Sequence, residues 1–102
     1  MIPRKLYTSR DMQMVKDHLT SLEGHDRYLR FSAMLPNDVI ESYVDKSWNN
    51  GSKWYGIVQD EKIIAVVHVG FESSDVAELG LSVSPEWRGQ KLGQSLFERA
   101  VI

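Results

Sequence analysis

The residues from Glu78 to Leu96 have types and spacing suited to chemistry. A β-patterned stretch runs to Val83, and Ser84-Pro85-Glu86-Trp87 then bends the chain. Arg88-Gly89-Gln90-Lys91-Leu92-Gly93 forms a glycine loop, and a helical pattern continues from Leu92. A glycine loop that opens a helix leaves backbone N–H groups without intrahelical partners. Phosphate and pyrophosphate groups suit such a place, because the donors and the helix dipole both favour negative charge. A Walker-type nucleotide loop does not fit, since Gly89 and Gly93 stand too close together and no Gly-Lys-Ser/Thr follows.

The strand before the loop has two unlike faces. Alternation over Val76–Val83 puts Ala77, Leu79, Leu81 and Val83 on one side and Glu78, Gly80 and Ser82 on the other. The first side reads as core. The second carries a carboxylate next to a glycine that leaves open space. For Glu78, a solvated strand carboxylate and a working base are both open readings. For Arg88, an anion contact and a loop-fixing hydrogen bond are both open. Lys91 reads more simply as a solvated lysine than as a dedicated phosphate ligand. His18, His25 and His68 fall on a helix, a loop and a strand without metal-ligand spacing, and read as structural or solvated. Trp48, Trp54 and Trp87 read as core and rim packing.

The elements that must position this segment follow from periodicity. Ile2–Tyr7 reads as a short strand. Thr8 and Asp11 have capping-box spacing, and Met12, Val15, Leu19 and Leu22 then share a helical face that Gly24 is expected to end. His25–Leu35 reads as a connection of mixed character. Asn37 is the expected cap of a second helix, with Ile40, Tyr43, Val44 and Trp48 as its apolar stripe. Lys53–Gln59 and Lys62–Phe71 read as strands joined by Asp60-Glu61, a hairpin turn without the favoured glycine. Lys62–Phe71 is apolar on both faces, the mark of a central strand covered on each side. Leu92–Ile102 is the last helix.

Bulk properties narrow the function classes. The chain has 102 residues, 42% of them hydrophobic and 25% charged, which fits a single globular domain over residues 1–102. Its formal net charge of −2 offers no basic surface for nucleic acid or an anionic membrane. There is no cysteine, so disulfides, thiolate catalysis and cysteine metal sites are excluded. The longest apolar run, Ile63–Val67, is too short to span a bilayer. A cytoplasmic protein without a metal is expected.

The loop and its approach resemble the acyl-CoA-binding motif of the GCN5-related N-acetyltransferases. That family's loop reads Arg/Gln-x-x-Gly-x-Gly/Ala, and Arg88 and Gly93 match its ends. Val83, Pro85, Trp87 and Gly89 match the preceding context. Lys91 stands where the pattern has its middle glycine; it adds bulk, and also a cation that could meet a phosphate. Asp26–Phe31 resembles an arginine-rich segment that borders the acceptor entrance in some bacterial members, although a packed loop with salt bridges is the simpler reading.

The resemblance implies an α+β fold, a three-layer α/β/α sandwich on a mixed, mainly antiparallel sheet, here without the C-terminal strands of the family. It implies transfer of an acetyl or other acyl group from acetyl-CoA to a primary amine of unknown identity. Leu81, Ser82 and Val83 would hold the pantetheine arm, and Arg88, Gly89, Gln90, Lys91, Leu92, Gly93 and Gln94 would hold the pyrophosphate. Glu78 matches the strand glutamate that acts as base in the family's histone-type lysine acetyltransferases; an ammonium must lose its proton before it attacks a thioester. Apolar strand neighbours would make it a better base. The alternative is a non-catalytic CoA-binding or protein-interaction module. The strand ending at Val83 would lack its next neighbour, and an apolar edge of that kind implies a homo-oligomer.

Overall fold

The computed structural model describes residues 1–71 and 77–101. The order is β1 (Arg4–Leu6), α1 (Ser9–Ser21), α2 (Gly24–Phe31), α3 (Asn37–Asn49), β2 (Lys53–Gln59), β3 (Lys62–Phe71), β4 (Ala77–Val83), a single 3₁₀ turn (Pro85–Trp87) and α4 (Leu92–Val101). Val76 and Ile102, the expected ends of the last strand and helix, lie outside the described residues. The sheet order is β1-β2-β3-β4, with every pairing antiparallel.

The two-faced apolar pattern of β3 is satisfied as its sequence requires. On one face Val66 and Ile63 pack with Trp54, Leu6, Val15 and Leu19 of α1, and Ile40 and Val44 of α3. On the other, Ala65 and Val67 pack with Ile57, Tyr55, and Leu92 and Leu96 of α4. The result is three layers, with β3 between two cores. Fully burying a branched aliphatic or aromatic side chain contributes about 1.5–3 kcal/mol, so these clusters dominate the favourable side of folding.

Local chemistry sets the ends of the elements. The Thr8 hydroxyl accepts from the Asp11 N–H at 3.0 Å, and the Asp11 carboxylate accepts from the Thr8 N–H at 3.2 Å, completing the capping box. Asp11 also accepts from the Tyr7 N–H at 3.0 Å and from Arg4 at 2.9 Å, which ties β1 to α1. Burial works to raise the Asp11 carboxyl, but the Arg4 bond and charge and these N–H groups outweigh it and hold it well below the usual carboxylate range. The Asp60-Glu61 turn adopts positive φ at both positions, 53° and 63°, as a type I′ hairpin turn requires even of residues other than glycine.

Three expectations are corrected. The first helix ends at Ser21, not Gly24; Leu22 is extended, and Gly24, at φ 48°, turns the chain into α2. The expected connection His25–Leu35 therefore holds a helix with no buried residue. Asn37 is the first residue of α3 rather than its cap, because the Ile40 N–H already bonds the Pro36 carbonyl at 3.1 Å.

Candidate active site

β4 is an edge strand, and this changes what its faces do. Leu79 and Leu81, expected in the core, are exposed; α4 packs on Val83 and meets Leu81 through Gly93. The opposite face is not open beside Gly80. The Arg30 guanidinium of α2 lies over it, and a Cβ on Gly80 would come within 2.4 Å of the Arg30 Cζ. Any side chain at this position would displace the Arg30 guanidinium from its place over the strand. Glu78 is exposed on this strand, opposite Gly70 of β3, so the expected apolar enclosure is absent among the described residues.

Ser82 points to α1. Its hydroxyl lies 2.5 Å from Nε2 of His18, whose Nδ1 is 3.4 Å from the Ser84 hydroxyl. Burial pushes His18 down to about 4, assisted by the charge of Arg30 and opposed by a backbone hydrogen bond to Ile63 and by Glu86. A second buried histidine, His68, stacks on Trp54 with ring centroids 4.2 Å apart, and its Nδ1 meets the Tyr43 hydroxyl at 2.8 Å. Burial, then the Arg30 charge, lowers it to about 4 as well. Both rings are therefore neutral near neutrality. Sequence reading named both histidines but not this network; His68 and Tyr43 sit twenty-five residues apart, and nothing local joins them.

The loop after the 3₁₀ turn takes the conformation that its glycines suggest. Gly89 has φ 81° and Lys91 φ 62°, both left-handed. This gives a second physical reason for a glycine at the Lys91 position, besides close ligand approach. Leu92 turns its side chain into the α4 core, so only its backbone can serve a ligand. Gly93 lies against β4; a Cβ there would meet Leu81 Cδ2 at 3.2 Å. Gln90 is exposed, and the exposed Gln94 donates to Glu98 at 3.2 Å.

Arg88 is committed to the protein, with its guanidinium 2.6 Å from the Asp26 carboxylate of α2. Its N–H bonds the Pro85 carbonyl at 3.3 Å, and Ser95 N–H bonds the Lys91 carbonyl. Among the described residues, the N–H groups of Gly89, Gln90, Lys91, Leu92, Gly93 and Gln94 donate to no backbone carbonyl across this turn. The structure thus leaves a run of backbone donors at the head of α4, an arrangement that can bind a multiply charged anion. Among the described residues no group of three or more His, Asp or Glu could hold a metal ion, and no helix is long and apolar enough to cross a membrane.

The Acetyltransferase (GNAT) family model matches residues 15–101, from α1 through this loop to α4. The chain belongs to the GNAT family. No curated protein matches the sequence. Similar solved structures carry the same fold. A possible acetyltransferase from Clostridium difficile 630 aligns with TM-score 0.68 at 16% identity, over 98% of this chain and 69% of that one. An aminoglycoside N-acetyltransferase, AAC(6')-Iy in complex with CoA, aligns with TM-score 0.66 at 15% identity, over 95% of this chain and 64% of that one. The PaiA N-acetyltransferase from Thermoplasma acidophilum, in complex with coenzyme A, aligns with TM-score 0.58 at 16% identity, over 98% and 70%. This GNAT chain thus spans about two thirds of the length of these relatives.

Proposed function

We propose that this domain takes part in transfer of an acyl group, usually acetyl, from acyl-coenzyme A to a primary amine. The observation that carries the reading is the run of N–H groups from Gly89 to Gln94 that meet no backbone carbonyl among the described residues, set directly after β4, the last strand of the described sheet. These donors fit a pyrophosphate, and the exposed Lys91 ammonium adds charge beside them. The peptide groups of Leu81, Ser82 and Val83 offer an unpaired strand edge to the amide-bearing pantetheine arm. Arg88 serves by anchoring the loop to α2 through Asp26 rather than by contacting the anion. When bound, the acyl-CoA supplies an activated thioester carbonyl.

Glu78 is the proposed proton acceptor. It takes a proton from the acceptor ammonium, directly or through water, and so frees the nitrogen lone pair. Attack by the amine forms the C–N bond, breaks the C–S bond and releases the CoA thiol. The exposure of Glu78 favours a second reading, a CoA-binding or protein-interaction module without catalysis. Thiol release from acetyl-CoA with a panel of primary amines, beside calorimetric titration with CoA, separates the two. Binding with thiol release supports acyl transfer. Binding without it supports a CoA-binding module, and no binding at millimolar CoA overturns both readings that involve CoA and leaves the protein-interaction module.

A further inference from the structure

We propose that the cavity between α2 and β4 receives an amine that also carries a carboxylate, and that Arg30 selects it. The inference rests on the acyl-transfer reading and names the acceptor class that this same site would take. The cavity has a volume of about 330 Å³, within the range of small-molecule sites. Leu22 and Leu29 give it apolar walls, β4 borders it from Leu81 to Val83, and Asp26, Arg30 and Arg88 add charge. Leu81 and Ser82 also belong to the stretch proposed for the pantetheine arm, so an acceptor in this cavity would lie beside the donor.

The charges in the cavity do not cancel. Arg88 is neutralised by Asp26 at 2.6 Å. Arg30 meets no carboxylate among the described residues. Among the described residues its only hydrogen bond is a long one, 3.4 Å to the Tyr43 hydroxyl, and its buried Nε has no partner. A guanidinium drawn partly out of water with unfilled donors is costly unless an anion meets it.

The protein nevertheless builds a seat for this cation. Its Cζ stands 4.9 Å from the Phe31 ring centroid and 5.7 Å from that of Tyr43, and Gly80 leaves a notch in β4 beneath it. These contacts hold the cation against two aromatic rings and β4. The uncompensated field is also felt by neighbours, since the Arg30 charge helps to keep both His18 and His68 neutral. A planar fork of N–H donors fits a carboxylate with two parallel bonds, better than it fits an amide or an ester.

The test is a ladder of ω-amino acids of increasing chain length, each compared with its own amide. Binding is followed by calorimetry without acyl-CoA, and thiol release is followed with acetyl-CoA. Failure of the functional reading then shows as absent CoA binding, independently of the acid-against-amide comparison. The expected result is that at least one acid outbinds its amide by roughly tenfold to a hundredfold, the scale of hydrogen bonds to a charged group. Arg30→Gln should bring that ratio close to one, and Arg30→Lys should retain part of it. Equal binding of acids and amides along the whole ladder would overturn the proposal, as would a preference that survives in Arg30→Gln. The wild-type comparison needs no variant and decides the question even if the substituted chains fail to fold.

Discussion

Lys91 occupies a backbone position made for glycine, and replacing it separates the conformation of the loop from the charge it carries. At φ 62° its Cβ crowds the backbone, and for an L-residue the left-handed region costs about 1–2 kcal/mol. Lys91→Gly removes that cost but makes the unfolded chain more flexible, which opposes folding by about 0.4–1 kcal/mol. The difference is a net gain of roughly 0.5–1 kcal/mol, or roughly 2–8 °C in Tm for a domain of this size. The N–H groups of the loop keep their directions, since glycine adopts the same φ without strain. The ammonium is lost, and one exposed charge facing a phosphate is worth about 0.2–1 kcal/mol. CoA affinity should therefore fall by roughly 1.4-fold to fivefold at low salt, and the two proteins should converge as salt screens the charge. Thermal melts and calorimetric titrations at two ionic strengths read both effects. A lower Tm together with a salt-independent loss of affinity would refute the reasoning, because it would mean that Lys91 packs rather than strains.

The other expectations concern pH, the base and the sheet edge. His18 and His68 titrate near 4 in the folded chain against about 6.5 unfolded, so the unfolded state binds more protons in that window. Stability should be fully present above about 6.5 and decline as pH falls toward 4, with Asp11 adding its loss at still lower pH; denaturant melts that stay flat from neutrality to about 4 would contradict this. Glu78→Gln should lower amine-dependent thiol release by about 10²–10⁴ while CoA affinity holds, and unchanged turnover would remove Glu78 from the mechanism. The edge of β4 that pairs with no strand among the described residues, with Leu79 and Leu81 exposed beside it, should drive self-association that light scattering detects as mass rising with concentration. A monodisperse species of 11.7 kDa at high concentration would count against it.

Reading from sequence succeeded where one local signal decided the outcome. The double-faced apolar pattern of Lys62–Phe71 made it central, and Thr8 with Asp11 marked the start of α1. It failed at α2, which is only eight residues long and buries no residue. Arg27 ties α2 to its neighbours by donating to the carbonyls of Thr20, Leu22 and Leu35 at 2.6, 2.9 and 2.9 Å. Missing α2 hid the placement of Arg30 over Gly80 and the pairing of Asp26 with Arg88, both of which shape the site. The alternating face of β4 was legible, but its burial was not, because burial of an edge strand depends on what lies beyond the sheet.

The central claim is that backbone N–H groups at the head of α4 hold the pyrophosphate of CoA. An amide-resolved NMR titration with CoA tests it most directly, since each donor reports separately. The expected result is saturable shifts largest at Gly89 to Gln94, with smaller ones at Leu81 to Val83, reproduced in part by inorganic pyrophosphate at the loop alone. Saturable binding that leaves the amides of Gly89 to Gln94 unmoved, or no shifts at millimolar CoA, would contradict it.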